Sequence, residues 1–170
     1  MTPEQIRNLQ RPLKERYRTD PKAAQVTLEA RGTLNSETVT CQVPTWAGVA
    51  IAGLHPATGG DGTQACSGDM LLQALAACAG VTLQAVATAM GISIRGGAVR
   101  AEGDLDFRGT LGMSREVPTG FQTIRLGFEL DTDAPAEQLA KLKELTERYC
   151  VVAQTLLVTP TLGITINAMT

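Results

Sequence analysis

The run from Ser67 to Met90, SGDMLLQALAACAGVTLQAVATAM, is apolar on nearly every helical face and carries no charge after Asp69. Its residues are mostly good helix formers, and a helix apolar all round has to be buried all round. Ser67 is the expected N-cap, with Asp69 in the first turn favourable against the helix dipole. Gly91 is expected to close the helix in the left-handed conformation, with Ile92 folding back on the last turn. Gly80 lacks a side chain, so another helix can approach closely there. The length would also suffice to cross a membrane. However, most apolar positions are Ala, Gln73 and Gln84 interrupt the run, and no basic cluster flanks it immediately. A central buried helix is the expectation, wrapped by the rest of the chain or by a second copy.

The remaining composition fits one globular domain. The chain has 170 residues, 44% hydrophobic and 19% charged, with a formal net charge of -2. Aromatics make up only 4%, so the core must be aliphatic and stacking platforms for bases are scarce. With the mild negative charge, that argues against a nucleic-acid partner. The N-terminal stretch lacks the apolar core of a secretory signal, which makes the cytoplasm the expected compartment. Cys41, Cys66, Cys78 and Cys150 are widely spread with no C-x-x-C pair. In a reducing compartment these read as buried or reactive thiols.

Residues 1–24 form a separate N-terminal unit. Residues 4–18 are basic and amphipathic, with Ile6, Leu9 and Leu13 on one side and Arg7, Arg11, Lys14, Arg16 and Arg18 elsewhere. This reads as a solvated helix packed on the body or on a partner subunit. An anionic-surface anchor has little to bury in three aliphatics, so no membrane partner is expected. Asp20-Pro21 breaks the helix. Residues 25–170 then read as a single domain. Period-two patterns at Val26, Leu28, Ala30 and at Val39, Cys41, Val43 predict a hairpin turning at residues 32–37, with Cys41 an inert core thiol. A third short strand is expected near Val49–Ala52, then a Gly-rich loop over Leu54–Cys66.

Beyond Gly91, Ile92–Ile94 predicts a brief strand, and Ala98–Phe107 and Phe121–Asp131 two longer ones, around a loop at Leu111–Gly120. Asp133 is the expected cap of a second long helix with Pro135 in its first turn. Its stripe is Leu139, Leu142, Leu145, Tyr149, Val152 and Leu156, with Cys150 at the edge. Leu162–Ile166 reads as a last strand. The order is that of an α+β fold with antiparallel sheets around two long Cys-bearing helices. A monomer with one sheet would leave the central helix in water, which points to a homodimer.

A single histidine nearly excludes triads and His-based zinc sites, and His55 before Pro56 reads as a turn residue. The Thr58–Gly62 loop lacks both the P-loop lysine and dinucleotide spacing. Glu102, Asp104 and Asp106 alternate on what reads as the solvated face of a strand. The thiols remain. Taken alone, Cys78 is a small hydrophobe in an Ala-rich helix, and its position denies it the full N-terminal dipole; a reactive thiolate there needs a nearby arginine. Packing of the two principal helices could, however, bring Cys78 and Cys150 within disulfide reach.

Together, GDMLLQALAAC with Asp69 nine residues before Cys78, the Pro56/Gly59-Gly60 loop before it, and ERYCVVAQTL around Cys150 resemble the osmotically inducible protein C and organic hydroperoxide resistance (OsmC/Ohr) family. The resemblance covers about residues 25–167. It implies an intertwined homodimer with sites at the subunit interface, reducing hydroperoxides, organic ones preferred, without metal or bound cofactor. By position, Cys78 would be the peroxidatic thiol and Cys150 the resolving one, reset by an external dithiol. Asp69 stands at the position of the family's carboxylate, as Asp rather than Glu. It reaches Cys78 only if the helix begins later or if it serves the other subunit. Arg108 is the expected activating arginine, with Arg31 and Arg148 as alternatives. Val151-Val152 departs from the Pro-aromatic pair of hydroperoxide-resistance members, and Cys66 is an extra thiol that could compete as resolver. Two other uses of the same fold are a non-catalytic dimer that binds a small molecule at its interface and a redox sensor.

Overall fold

The N-terminal segment folds as the capping chemistry of its sequence dictates. Thr2 accepts a hydrogen bond from the Gln5 N–H (3.1 Å), the Gln5 side chain accepts one from the Thr2 N–H (2.7 Å), and Pro3 occupies the first helical position. Helix α1 runs from Pro3 to Thr19 and packs against the central helix. A computed structural model describes residues 1–168, so the last two residues of the segment read as the main domain lie outside the described residues.

After a 3-10 turn at Pro21–Ala24, the first sheet forms a meander of β1 (Thr33–Asn35), β2 (Thr40–Thr45) and β3 (Gly48–Gly53). Its ladders are antiparallel, with Leu34 opposite Cys41 and Val43 opposite Ala50. Strand β4 (Ala65–Cys66) adds to β3 in parallel. Helix α2 (Ser67–Met90) follows directly. The second sheet is one long antiparallel pair, β5 (Gly96–Asp104) with β6 (Thr123–Asp131), in register from Gly96 opposite Asp131 to Asp104 opposite Thr123. A single turn of helix, α3 (Phe107–Thr110), lies between these strands, and α4 (Ala136–Tyr149) and α5 (Val151–Leu157) complete the chain.

The core lies between α2, α4 and the inner face of the second sheet. Leu83, Ala87, Ile92 and Leu142 are buried there, with Phe128, Leu130 and Leu139 packed against them. Burial alternates along β6, so Ile124, Leu126, Phe128 and Leu130 face inward while their neighbours face water. Gly91 ends α2 as expected, with φ 72° and ψ 21°, and the Ile92 N–H returns to the Ala87 carbonyl at 2.9 Å.

Several expectations are corrected. Cys66, not Ser67, is the N-cap residue of α2, and it makes no side-chain cap bond. The first hairpin is shorter than its alternation suggests. Residues 25–32 are irregular and exposed, and the turn falls at residues 36–39, where the Asn35 side chain accepts the N–H groups of Glu37 and Thr38. The loop over residues 54–66 contains a 3-10 turn (Pro56–Thr58) as well as β4. Ile92–Ile94 is not a strand, and Phe107 opens α3 rather than ending β5. Pro135, not Asp133, is the N-cap residue of α4; Asp133 instead pairs with Arg95, which also holds Asp131. Leu162–Ile166 forms no ladder and its apolar side chains stand in water.

Two corrections bear on the site. The second long helix is broken at Cys150, which has φ -74° and ψ 108°. Helix α2 is buried only along Leu75, Ala79, Leu83 and Ala87, one residue every fourth, while Val81 is 73% exposed. Of the described helices, α2 alone is long and apolar enough to cross a membrane by length and composition.

Candidate functional site

The break at Cys150 turns two helix ends toward the middle of α2. The Cys150 N–H still closes α4 onto the Thr146 carbonyl (3.0 Å), and the Cys150 carbonyl accepts the Gln154 N–H to open α5 (2.9 Å). The Gln154 side chain reaches back across the break to the Glu147 carbonyl at 2.8 Å. A new helix begins with N–H groups that have no intrahelical acceptor. Those of Val151 and Val152 lie beside the Cys78 sulfur, as does the Cys150 thiol, near enough to shift its acidity.

The two sulfurs therefore sit in unequal surroundings. Burial raises the pKa of the half-buried Cys78. The Val152 N–H, the Cys150 thiol, the Val151 N–H and the Thr82 hydroxyl outweigh that effect, leaving Cys78 below the ordinary thiol range. Cys150 is fully buried; burial pushes it up, and the neighbouring Cys78 adds to the rise against the N–H groups of Ala153 and Val152. Both thiols are free. The arrangement makes Cys78 the more acidic of the two neighbouring thiols.

Asp69 is exposed in the first turn of α2. Because α2 does begin at Ser67, nine residues of rise separate Asp69 from Cys78 by about 13 Å along the axis. Within one subunit the two do not meet. Arg108 is turned to Asp106, which holds it by a charged pair and is itself lowered to about 2 by that guanidinium and the Arg108 N–H. Arg148 lies over the Tyr149 ring, 5.5 Å from its centroid. No guanidinium of this chain is among the groups that shift Cys78; the backbone amides of α5 and the Cys150 thiol are, with a smaller effect from Thr82, whose hydroxyl donates to the Cys78 carbonyl at 2.8 Å. Thr82 and the amides of Val151 and Val152 were not among the expected site residues. The spacing from Cys78 to Thr82, four residues on one helix, would have placed that hydroxyl on the cysteine's face.

His55 serves the loop before α2. Its Nδ1 accepts the Ala57 N–H at 3.0 Å, and its ring stacks on Phe107 at 4.8 Å between centroids. Cys66 ends β4, near Gly68.

A cavity of about 740 Å³ opens beside Cys150. Leu75, Leu126, Phe128, Leu142 and Ala153 line it with Cys150, and Lys143 and Glu147 supply charge at its wall. A mostly apolar cleft with a few polar groups is suited to an apolar small molecule.

This is an α+β protein with two thiols brought together by a helix break. The family model described as "OsmC-like protein" matches residues 60–165, and the chain belongs to that family. Solved structures share the fold at low identity. An OsmC-like protein from Mycoplasma pneumoniae is 16% identical with a TM-score of 0.66, over 79% of this chain and 90% of that one. An organic hydroperoxide resistance protein from Legionella pneumophila is 16% identical at 0.59, over 78% and 91%. The organic hydroperoxide resistance protein OhrB of Bacillus subtilis is 19% identical at 0.52, over 75% and 90%. No curated protein matches the chain.

Proposed function

We propose that this protein is a thiol-dependent peroxidase that reduces organic hydroperoxides. The observation that carries the reading is the Cys78–Cys150 contact, with Cys78 favoured as thiolate. The Cys78 thiolate attacks one peroxide oxygen; the O–O bond breaks, and the departing alkoxide takes a proton from solvent to become the alcohol. Cys78 is left as a sulfenic acid. The Cys150 sulfur then displaces that hydroxyl, releasing water and forming a disulfide, and an external dithiol restores both thiols by exchange. Family membership and neighbours known as organic hydroperoxide resistance proteins support the same reading. The exposed apolar residues of α2 favour a homodimer. In such a dimer Asp69 serves the partner's thiol.

Stopped-flow oxidation with cumene hydroperoxide tests the mechanism. Rapid loss of two thiols per subunit is expected. Cys78→Ser should abolish it, and Cys150→Ser should allow one turnover that ends in a trappable sulfenic acid. Oxidation no faster than that of free cysteine would refute the enzyme. If Cys66→Ser instead gives the stalled state, Cys150 is not the resolver. The apolar cavity favours a second reading, a ligand-binding dimer of the same fold. That reading expects saturable binding of an apolar ligand unaffected by Cys78→Ser.

A further inference from the structure

Gln154 spans the helix break with both its backbone and its side chain. In a helix running on through Cys150, the Val151 N–H would return to the Glu147 carbonyl, four residues back. Helical structure instead stops at Tyr149 and resumes at Val151, so that bond is not made and the Glu147 carbonyl loses its intrahelical donor. The Gln154 side chain supplies another: its Nε2 donates to that carbonyl at 2.8 Å. Its backbone N–H donates to the Cys150 carbonyl at 2.9 Å, the bond that opens α5. One residue therefore closes the end of α4 and starts α5. No proline or glycine stands between Glu147 and Leu156, so a continuous helix is the backbone these residues would otherwise adopt. In that alternative the Glu147 carbonyl takes back the Val151 N–H. Among the described residues, Gln154 to Glu147 is the side-chain hydrogen bond that crosses the break.

We infer that Gln154 is a positioning residue for the thiol pair: by occupying the Glu147 carbonyl it keeps the chain broken at Cys150 and the first amides of α5 beside the Cys78 sulfur. It works through the backbone, not on the sulfur. Gln154 is absent from the groups that shift Cys78, and Cys150 is the one ionisable side chain among them. This role rests on Cys78 being the thiol that reacts, and it adds what holds the surroundings of that thiol in place.

Iodoacetamide alkylation of the reduced full-length protein, followed at the Cys78 peptide by mass spectrometry as a function of pH, tests it. Gln154→Met keeps the length and the helix propensity of the side chain but cannot donate. It should slow alkylation near neutral pH by about two- to tenfold, the worth of one hydrogen bond in the choice between two backbones. The profile should move to higher pH, because amides drawn away from Cys78 no longer favour its thiolate. Val151→Pro supplies the second arm. Proline has no N–H to return to Glu147, and its ring clashes with a carbonyl four residues back, so the continuous helix is closed to that variant. In the Val151→Pro background, Gln154→Met should therefore change the rate by less than about twofold. A residue that merely stabilised the fold would act alike in both backgrounds. The assignment is overturned if the Gln154→Met profile superimposes on that of the wild type, or if the substitution moves the profile equally with proline at position 151. Alkylation needs no hydroperoxide, so this outcome is separate from the stopped-flow test of the peroxidase.

Discussion

The Cys150 thiol neighbours the Cys78 sulfur, and their surroundings move the two groups apart in acidity: the Val152 amide, ahead of the Cys150 thiol, lowers Cys78, while burial, ahead of Cys78 itself, raises Cys150. Two like groups in contact cannot both ionise freely, and the amides of α5 decide which one does. They lie beside Cys78 because the chain breaks its helix at Cys150 and begins another immediately.

Alkylation by iodoacetamide as a function of pH should report this asymmetry. A lowered pKa populates the thiolate at lower pH, so the Cys78 rate should rise and level off at lower pH than that of a free thiol. Cys150, measured in the Cys78→Ser variant, should react slowly because it is buried. Cys150→Ala removes a donor to the Cys78 anion, and the Cys78 profile should move to higher pH. A profile that does not move would show that the Cys150 thiol does not hold the anion.

Proline at position 151 removes the Val151 N–H and sets a ring carbon in its place. Proline is tolerated at the first position of a helix, and Cys150 before it is already extended, as the residue preceding a proline prefers to be. Val151→Pro should slow alkylation of Cys78 near neutral pH by about tenfold or more, the range of one hydrogen bond to a charged group. Thr82→Val, which removes a hydroxyl already donated to the Cys78 carbonyl (2.8 Å), should act in the same direction but less. Mass spectrometry of the Cys78 peptide gives both rates.

What the sequence disclosed follows from how local each signal is. The extent of α2 was legible because Gly91 marks its end and its composition leaves no other element possible. The second helix was not, because Glu147–Leu156 contains neither Gly nor Pro and its apolar stripe runs on through Val152 and Leu156. The break falls where the chain packs against Cys78, and the Gln154 side chain donates to the Glu147 carbonyl across it. The pairing of Cys78 with Cys150 was legible from two helices each bearing one thiol. Its activation was not, since backbone N–H groups have no signature among side chains, and an arginine was expected in their place. Strands foreseen at Val26–Ala30 and Leu162–Ile166 failed for a related reason: alternation makes a strand only where an edge is available to pair.

Leu142 joins α4 to α2 in the core and is 1% exposed. Leu142→Ala should destabilise the fold by about 2–5 kcal/mol, the cost of lost burial plus the cavity left behind. Because Leu142 also lines the cleft beside Cys150, the variant should lower the urea midpoint and admit larger apolar ligands. A midpoint shift equivalent to less than about 1 kcal/mol would mean that α4 is not held to α2 through this contact.

Val81 stands near the middle of α2 and is 73% exposed, on the side opposite the buried stripe of Leu75, Ala79, Leu83 and Ala87. An apolar helix that buries one residue in four along a single chain has surface left for another protein face. If a second copy covers α2, Val81→Asp puts a carboxylate into an apolar contact, where an unpaired charge costs several kcal/mol. Size exclusion with light scattering should then find the wild type as a dimer and Val81→Asp as a monomer or as dimers that dissociate on dilution. In a monomer the same side chain points into water, and the variant would elute and melt like the wild type. Peroxide turnover adds a second discriminant: with sites shared between subunits, dissociation should lower the rate with Cys78 and Cys150 both intact, and unchanged turnover in a dissociated protein would place the whole site within one chain.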